Sequence, residues 1–243
     1  MNAAWKVTCA LGPSLALGVA LVLTAFGEDS GARQGTDKAA GAARTAAPAS
    51  IPMGTGRSVT RFFVTSRGLG TGGDLAGLAG ADAHCQALAR AQGAGDHTWR
   101  AYLSTQATTD APAVNAQDRI GGGPWYNANG DLIAQNLAQL HGATSKLGKD
   151  TAVTEGADDV SADSHEILTG SRPDGTAFPA GADHTCGNWT SSGAGSAEVG
   201  YFDRAGQGEN SRSWSSAHGT SGCSDEAFKS SAGAGLFCCF AAD

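Results

Sequence analysis

Gly73–Ser104 reads GDLAGLAGADAHCQALARAQGAGDHTWRAYLS, and this stretch holds the clearest structural signals in the chain. Leu78, Ala81, Cys85 and Leu88 recur at spacings that share one helical face, which predicts a helix over 78–92. Gly93 and Gly95 end it. The next apolar run, Trp99–Leu103, predicts a strand, with Tyr102 beside it in the alternation.

Upstream, Val59, Phe62, Phe63 and Val64 predict a first strand, closed by the glycine-rich run Gly68–Gly73. Downstream, Ile133, Leu137 and Leu140 lie at helical spacing and predict a second helix over 132–140. The polar, acidic stretch Ala143–Glu166 reads as a long loop. Short strand-like pieces follow at Ile167–Leu168, Val199–Phe202 and Leu236–Phe240. One domain with helices early and short strands late is an α+β pattern, and no internal repeat is evident.

The domain is expected from Ser58 to Asp243. Residues 28–57 lack sustained apolar periodicity and are rich in Ala, Gly and Thr, as expected of a flexible tether or of a terminus with no role. Residues 1–27 read as an export signal: Lys6, an apolar run from Ala10 to Ala25, then small residues at Ala25 and Gly27. The run is short for a membrane span, which takes about 20 residues; an uncleaved anchor is the alternative to cleavage.

Removing that leader takes the formal charge from -7 to -8. No basic run is left, so nucleic acid, heparin-like polyanions and anionic lipid surfaces are excluded as expected partners. Cys85, Cys186, Cys223, Cys238 and Cys239 all follow the export segment. They point to an oxidising compartment, secreted, periplasmic or at the cell surface, where disulfides persist.

Several motifs have a simple explanation. Gly68–Gly73 satisfies G-x-G-x-x-G after a predicted strand, but regular βαβ units do not follow, so a glycine-rich connection is expected. Asn127, Asn129 and Asp131 suggest part of a calcium loop, yet Asn129-Gly130 is a turn signal by itself. His184, Cys186, His218 and Cys223 lack the paired spacing of structural zinc sites. No metal site and no cofactor are expected. Asp158, Asp159, Asp163, Asp174 and Asp183 offer hard oxygen ligands; a solvated acidic loop and a Ca2+-dependent ligand site are the two readings. Asn188-Trp189-Thr190 matches a glycosylation acceptor. Neither G-x-S-x-G nor H-E-x-x-H occurs, and no catalytic residues are assigned.

Three segments together resemble the endostatin domain of collagens XV and XVIII and the bacterial, for example leptospiral, endostatin-like surface adhesins. Gly73–Ser104 carries a G-x-x-G-x-x-G-A-D-x-x-C helix followed by an R-A-[FY]-L-S strand. Leu168–Trp189 carries a Gly-Ser-x-Pro-x-Gly turn (Gly170, Ser171, Asp174, Gly175) leading into Cys186-Gly187-Asn188-Trp189. Ser213–Phe240 carries Cys223 and the ending LFCCF, and Trp125–Leu140 is similar to the bacterial branch.

The resemblance implies a C-type-lectin-like fold with nested disulfides. Four cysteines allow three pairings; the resemblance selects Cys85–Cys239 and Cys186–Cys223. Cys238 departs from the pattern and is expected to be a free thiol, a competitor of Cys239 or an intermolecular partner. Trp189 is expected beside the inner bond. The arginine clusters and N-terminal histidines behind the vertebrate domain's heparin and zinc binding are missing here. Arg172-Pro173-Asp174 only approximates a lectin calcium tripeptide. The expectation is an exported, non-catalytic, adhesin-like module recognising an extracellular protein or glycan through residues 143–183. The alternatives are a calcium-dependent lectin and an unrecognised secreted hydrolase.

Overall fold

The computed structural model describes residues 57–206, 210 and 212–243. The expected leader, and the tether up to residue 56, lie outside the described residues. The strands are β1 (Phe62–Val64), β2 (Trp99–Ala101), β3 (Trp125–Tyr126), β4 (Leu132–Ala134), β5 (Glu166–Leu168), β6 (Glu198–Tyr201), β7 (His218–Gly219) and β8 (Gly233–Ala241). The helices α1 (Gly77–Ala91) and α2 (Leu137–His141) join a short helix at Asp225–Lys229. The protein is therefore mixed α+β with few helices and short strands.

β8 is the axis of the main sheet, whose order is β1-β8-β5-β6-β7, with β2 also paired to β8. It runs antiparallel to β1 and β2 and parallel to β5. Successive side chains of a strand point to opposite faces, so the adjacent cysteines of β8 separate. Cys239 joins Phe63, Leu88, Trp99, Trp189 and Phe237 in one core cluster. Cys238 joins Phe62, Trp125, Trp214 and Phe240 in another. A sheet with apolar clusters on both faces explains why eight of the nine β8 residues are buried.

α1 lies against the Cys239 side, burying Ala81, Cys85, Leu88 and Ala89. Two links fasten it there. Cys85 is bonded to Cys239 with the Cα atoms 5.7 Å apart. Asp82, 8% exposed, accepts from the Ala101 backbone N–H at 2.9 Å and from the Arg119 guanidinium at 2.7 and 2.8 Å. The second bond, Cys186–Cys223, closes a shorter loop. By chain entropy the bonds, with sequence separations of 154 and 37, remove about 5 and about 4 kcal/mol of unfolded-state freedom. Two disulfides fit an oxidising environment. Among the described residues no helix is long and apolar enough to cross a membrane.

The structure differs from the sequence reading in several places. The helix expected over 132–140 is divided: Leu132–Ala134 forms β4 against β3, and only Leu137–His141 is helical. Pairing with β3 extends the first half, and the Asn136 side chain caps the second by accepting from Gln139 N–H at 2.9 Å. Val59 is outside β1 and 71% exposed. β1 forms where a first strand was expected, while the helix at Asp225–Lys229 comes after most of the strands, against the expected order of helices before strands. The stretch 143–166 is only partly a solvated loop, since Leu147, Ala152, Val153, Thr154 and Glu155 are buried. The glycine-rich run precedes no βαβ unit. There, a Cβ on Gly72 would stand 2.2 Å from the Cys223 carbonyl oxygen, and one on Gly73 2.7 Å from Cys186 Sγ. Those glycines let the backbone approach the inner disulfide.

Cys238 is a free, buried thiol, and burial pushes its pKa well up. Thiolate is the reactive form. Native protein at pH 8 is therefore expected to leave Cys238 unlabelled by iodoacetamide, whereas unfolded, unreduced protein is labelled there; peptide mass mapping reads both.

His141 Nδ1 lies 3.0 Å from the Leu137 carbonyl oxygen and its Nε2 lies 2.6 Å from the Tyr102 hydroxyl. This suits the tautomer in which Nδ1–H donates and Nε2 accepts. Burial pulls its pKa below the ordinary 6.5. A depressed histidine contributes stability above its unfolded pKa and loses it as pH falls through the folded one. Melting temperature is expected to drop as pH falls below about 6.5, and less steeply in His141→Gln, as followed by thermal unfolding across pH.

Candidate functional site

Two regions present polar groups on a rigid frame. The first surrounds the inner disulfide. Cys186, Gly187, Asn188 and Trp189 have φ of 48°, 62°, 58° and 68°, a left-handed turn that costs about 1–2 kcal/mol for each non-glycine residue. Its neighbours hold it. Trp189 is fully buried and its indole N–H donates to the Ser104 carbonyl at 2.7 Å. Asn188 Oδ1 accepts from Gln106 N–H at 2.8 Å and its Nδ2 donates to the Gln106 carbonyl at 3.0 Å. This amide of the glycosylation-like tripeptide is already engaged in the fold.

The second region is a groove of about 430 Å³ between the exit of β1 and residues 154–164. Leu236 and Ala234 of β8 contribute to it from the sheet, and Thr65, Ser66, Thr154, Ser161 and Ser164 bring hydroxyls. Arg67 and Asp159 add one charge of each sign. Gly68 keeps the chain close to the sheet, since a Cβ there would stand 2.8 Å from the Ala234 carbonyl oxygen.

Glu155 fixes the two walls relative to each other. It is 9% exposed, and its carboxylate accepts from Ser66 N–H at 3.0 Å and from the Ser66 hydroxyl at 2.5 Å. The Thr154 hydroxyl oxygen accepts from Asp158 N–H, and that of Ser161 from Asp163 N–H. Neither O–H has an acceptor among the described residues; Thr154 is buried and Ser161 exposed, so the Ser161 hydroxyl is the donor open to the groove.

The five aspartates singled out in the sequence do not gather into one site. Asp159 lines the groove, while Asp158 and Asp163 are exposed nearby. Asp174 belongs to the Arg172–Gly175 turn and accepts from Thr176 Oγ1–H at 2.6 Å and Thr176 N–H at 3.0 Å. Those hydrogen bonds, the hydroxyl's foremost, hold its carboxyl below the usual range. Asp183 accepts from the backbone N–H groups of Thr185 and Gly187 at 3.0 and 3.1 Å, bracing the left-handed turn. Among the described residues no three His, Cys, Asp or Glu side chains converge on a position that could hold a metal ion. Cys186 and Cys223, weighed as zinc ligands with His184 and His218, are joined to each other. His184 pairs with Glu198 at 3.4 Å and His218 with Glu166 at 3.0 Å.

Sequence reasoning passed over Ser66, Arg67 and Glu155. Their one local signal is position, just after a predicted strand and inside a polar loop. The contact between Ser66 and Glu155 spans 89 residues, and no periodicity encodes it. The chain matches no protein-family model, and no curated protein matches it.

Trp189→Ala is expected to lower stability by about 3–5 kcal/mol through the cavity it leaves, measured by denaturant unfolding. Glu155→Ala removes a buried, doubly bonded carboxylate and should cost about 1–3 kcal/mol in the same measurement, with both disulfides intact.

Proposed function

We propose that this chain is an exported, non-catalytic binding module that recognises an extracellular glycan or protein, with its ligand surface in the groove between β1 and residues 154–164. The observation that carries this reading is the groove itself, with hydroxyls and one charge of each sign held on walls joined by Glu155. Loops set on a rigid frame are where recognition is commonly placed. Volumes of about 300–1,000 Å³ are usual for ligand clefts.

The disulfides and the sequence of the N-terminal segment support a secreted, periplasmic or cell-surface location. The resemblance of Gly73–Ser104, Leu168–Trp189 and Ser213–Phe240 to endostatin-like domains supports a C-type-lectin-like arrangement. The nested bonds Cys85–Cys239 and Cys186–Cys223 and the mixed α+β build agree with it. Calcium-dependent recognition has less support, because Asp174 and Asp183 direct carboxylate oxygens at the protein's own N–H and O–H groups.

Binding of the full chain to a mixed array of glycans and matrix proteins, in Ca2+ and again in EDTA, tests the reading. Binding that survives EDTA and falls at least about tenfold in both Arg67→Ala and Asp159→Ala, at unchanged melting temperature, is the expected result. Binding lost in EDTA would favour the calcium lectin, and binding indifferent to both substitutions would place the site elsewhere.

A further inference from the structure

A second cleft, of about 510 Å³, opens at the other end of β1 from the groove. Val59, Pro124 and Tyr126 give it an apolar side, and Arg57, Arg61, His97 and Asp243 a polar one. Three of those polar groups are already matched. Asp243 pairs with the Arg57 guanidinium and with His97 Nδ1 at 3.2 Å, and His97 Nε2 meets the Ser58 carbonyl at 2.7 Å.

Arg61 is different. Its backbone is pinned on both sides, the N–H donating to the Tyr126 carbonyl at 2.8 Å and the carbonyl accepting from Ala241 N–H at 2.9 Å. Its side chain has neither a carboxylate within 4.0 Å nor a hydrogen-bond acceptor among the described residues. Its Nε is nevertheless shut off from solvent. Among the described residues one other buried side-chain nitrogen or oxygen is unbonded, His184 Nδ1, and a carboxylate oxygen of Glu198 stands 3.4 Å from that nitrogen. Shutting a charged donor away from water without an acceptor is unfavourable. Arg61 lines the cleft, and a guanidinium fork is shaped to bind both oxygens of one carboxylate.

We propose that this cleft is a binding site for a small organic monocarboxylate with an apolar or aromatic body, its carboxylate on Arg61 and its body against Val59, Pro124 and Tyr126. The charge around the cleft selects a monoanion. Arg57 and His97 are flanked by the carboxylates of Asp243 and Asp96. That leaves Arg61 as the cation lining the cleft with no carboxylate within 4.0 Å among the described residues, and those carboxylates disfavour a phosphate dianion beside them. Val59 supports the apolar half: it is the one large hydrophobic side chain exposed among the described residues, at 71%. The proposal is independent of the groove reading, because the two sites share no lining residue.

Phenylacetate serves as the probe, titrated into the full chain while the arginine Nε–H NMR signals are followed. The expected result is a saturable shift of the Arg61 signal, with 2-phenylacetamide and acetate each binding at least about tenfold more weakly. In Arg61→Gln, the saturable shift that phenylacetate produces in the backbone amide signals of Val59 and Tyr126 should be abolished. Val59→Asp, at an exposed position where the fold is indifferent, should weaken phenylacetate at least about tenfold at unchanged melting temperature. A short peptide ending in a free C-terminal Phe, compared with its amidated form, separates a chain terminus from a free acid as the source; tighter binding by the free-ended peptide assigns the terminus. No saturable shift, equal binding of the amide, or retention in Val59→Asp would each overturn the proposal.

Discussion

The structure depends on β8 being flanked by strands along both edges and covered by apolar side chains on both faces. β1 and β2 both pair with its last residues, and β5 with its first. A backbone in that position has its ladder hydrogen bonds on two sides, and its side chains must divide between two cores. The division makes Cys239 a crosslink to α1 and leaves Cys238 in the opposite core as an inert, buried thiol. The adjacent pair thus carries two unrelated roles, separated by one step of strand alternation.

The inner disulfide organises a different kind of local order. Four consecutive left-handed residues are unfavourable as an isolated segment, and they persist because Trp189, Asn188, Asp183 and the Cys186–Cys223 bond each hold one part of the turn. Gly72 and Gly73 complete it by their lack of side chains, since a Cβ on Gly72 would enter the Cys223 carbonyl and one on Gly73 the Cys186 side chain. The glycine pattern that looks like a nucleotide loop is, in this protein, the complement of a disulfide.

The candidate surfaces sit at the two ends of β1. At one end, Ser66 and Glu155 lock a polar groove; at the other, Arg61 faces an apolar cleft with its Nε unmatched. Neither was legible from the chain. Asp159 was noted among the acidic residues, but so were Asp174 and Asp183, which brace turns. Composition marks acidic residues without saying whether a carboxylate meets solvent or the protein's own N–H groups.

α1, most of the strands and the punctuation by glycine were readable because each is encoded locally, in a 3.6-residue or two-residue apolar period and in turn residues. The limits of that reading appear at Leu132–Leu140, where Ile133, Leu137 and Leu140 keep helical spacing although pairing with β3 draws the first half into a strand. They appear again at 143–166, where sparse apolar residues such as Leu147, Ala152 and Val153 fill a core. The sequence by itself determined the helix and strand periods, the low charge density and the supply of cysteines. Tertiary structure alone decided which face of β8 each cysteine occupies, which aspartates are consumed by turns, and that Ser66 meets Glu155, because these depend on contacts between segments far apart in the chain.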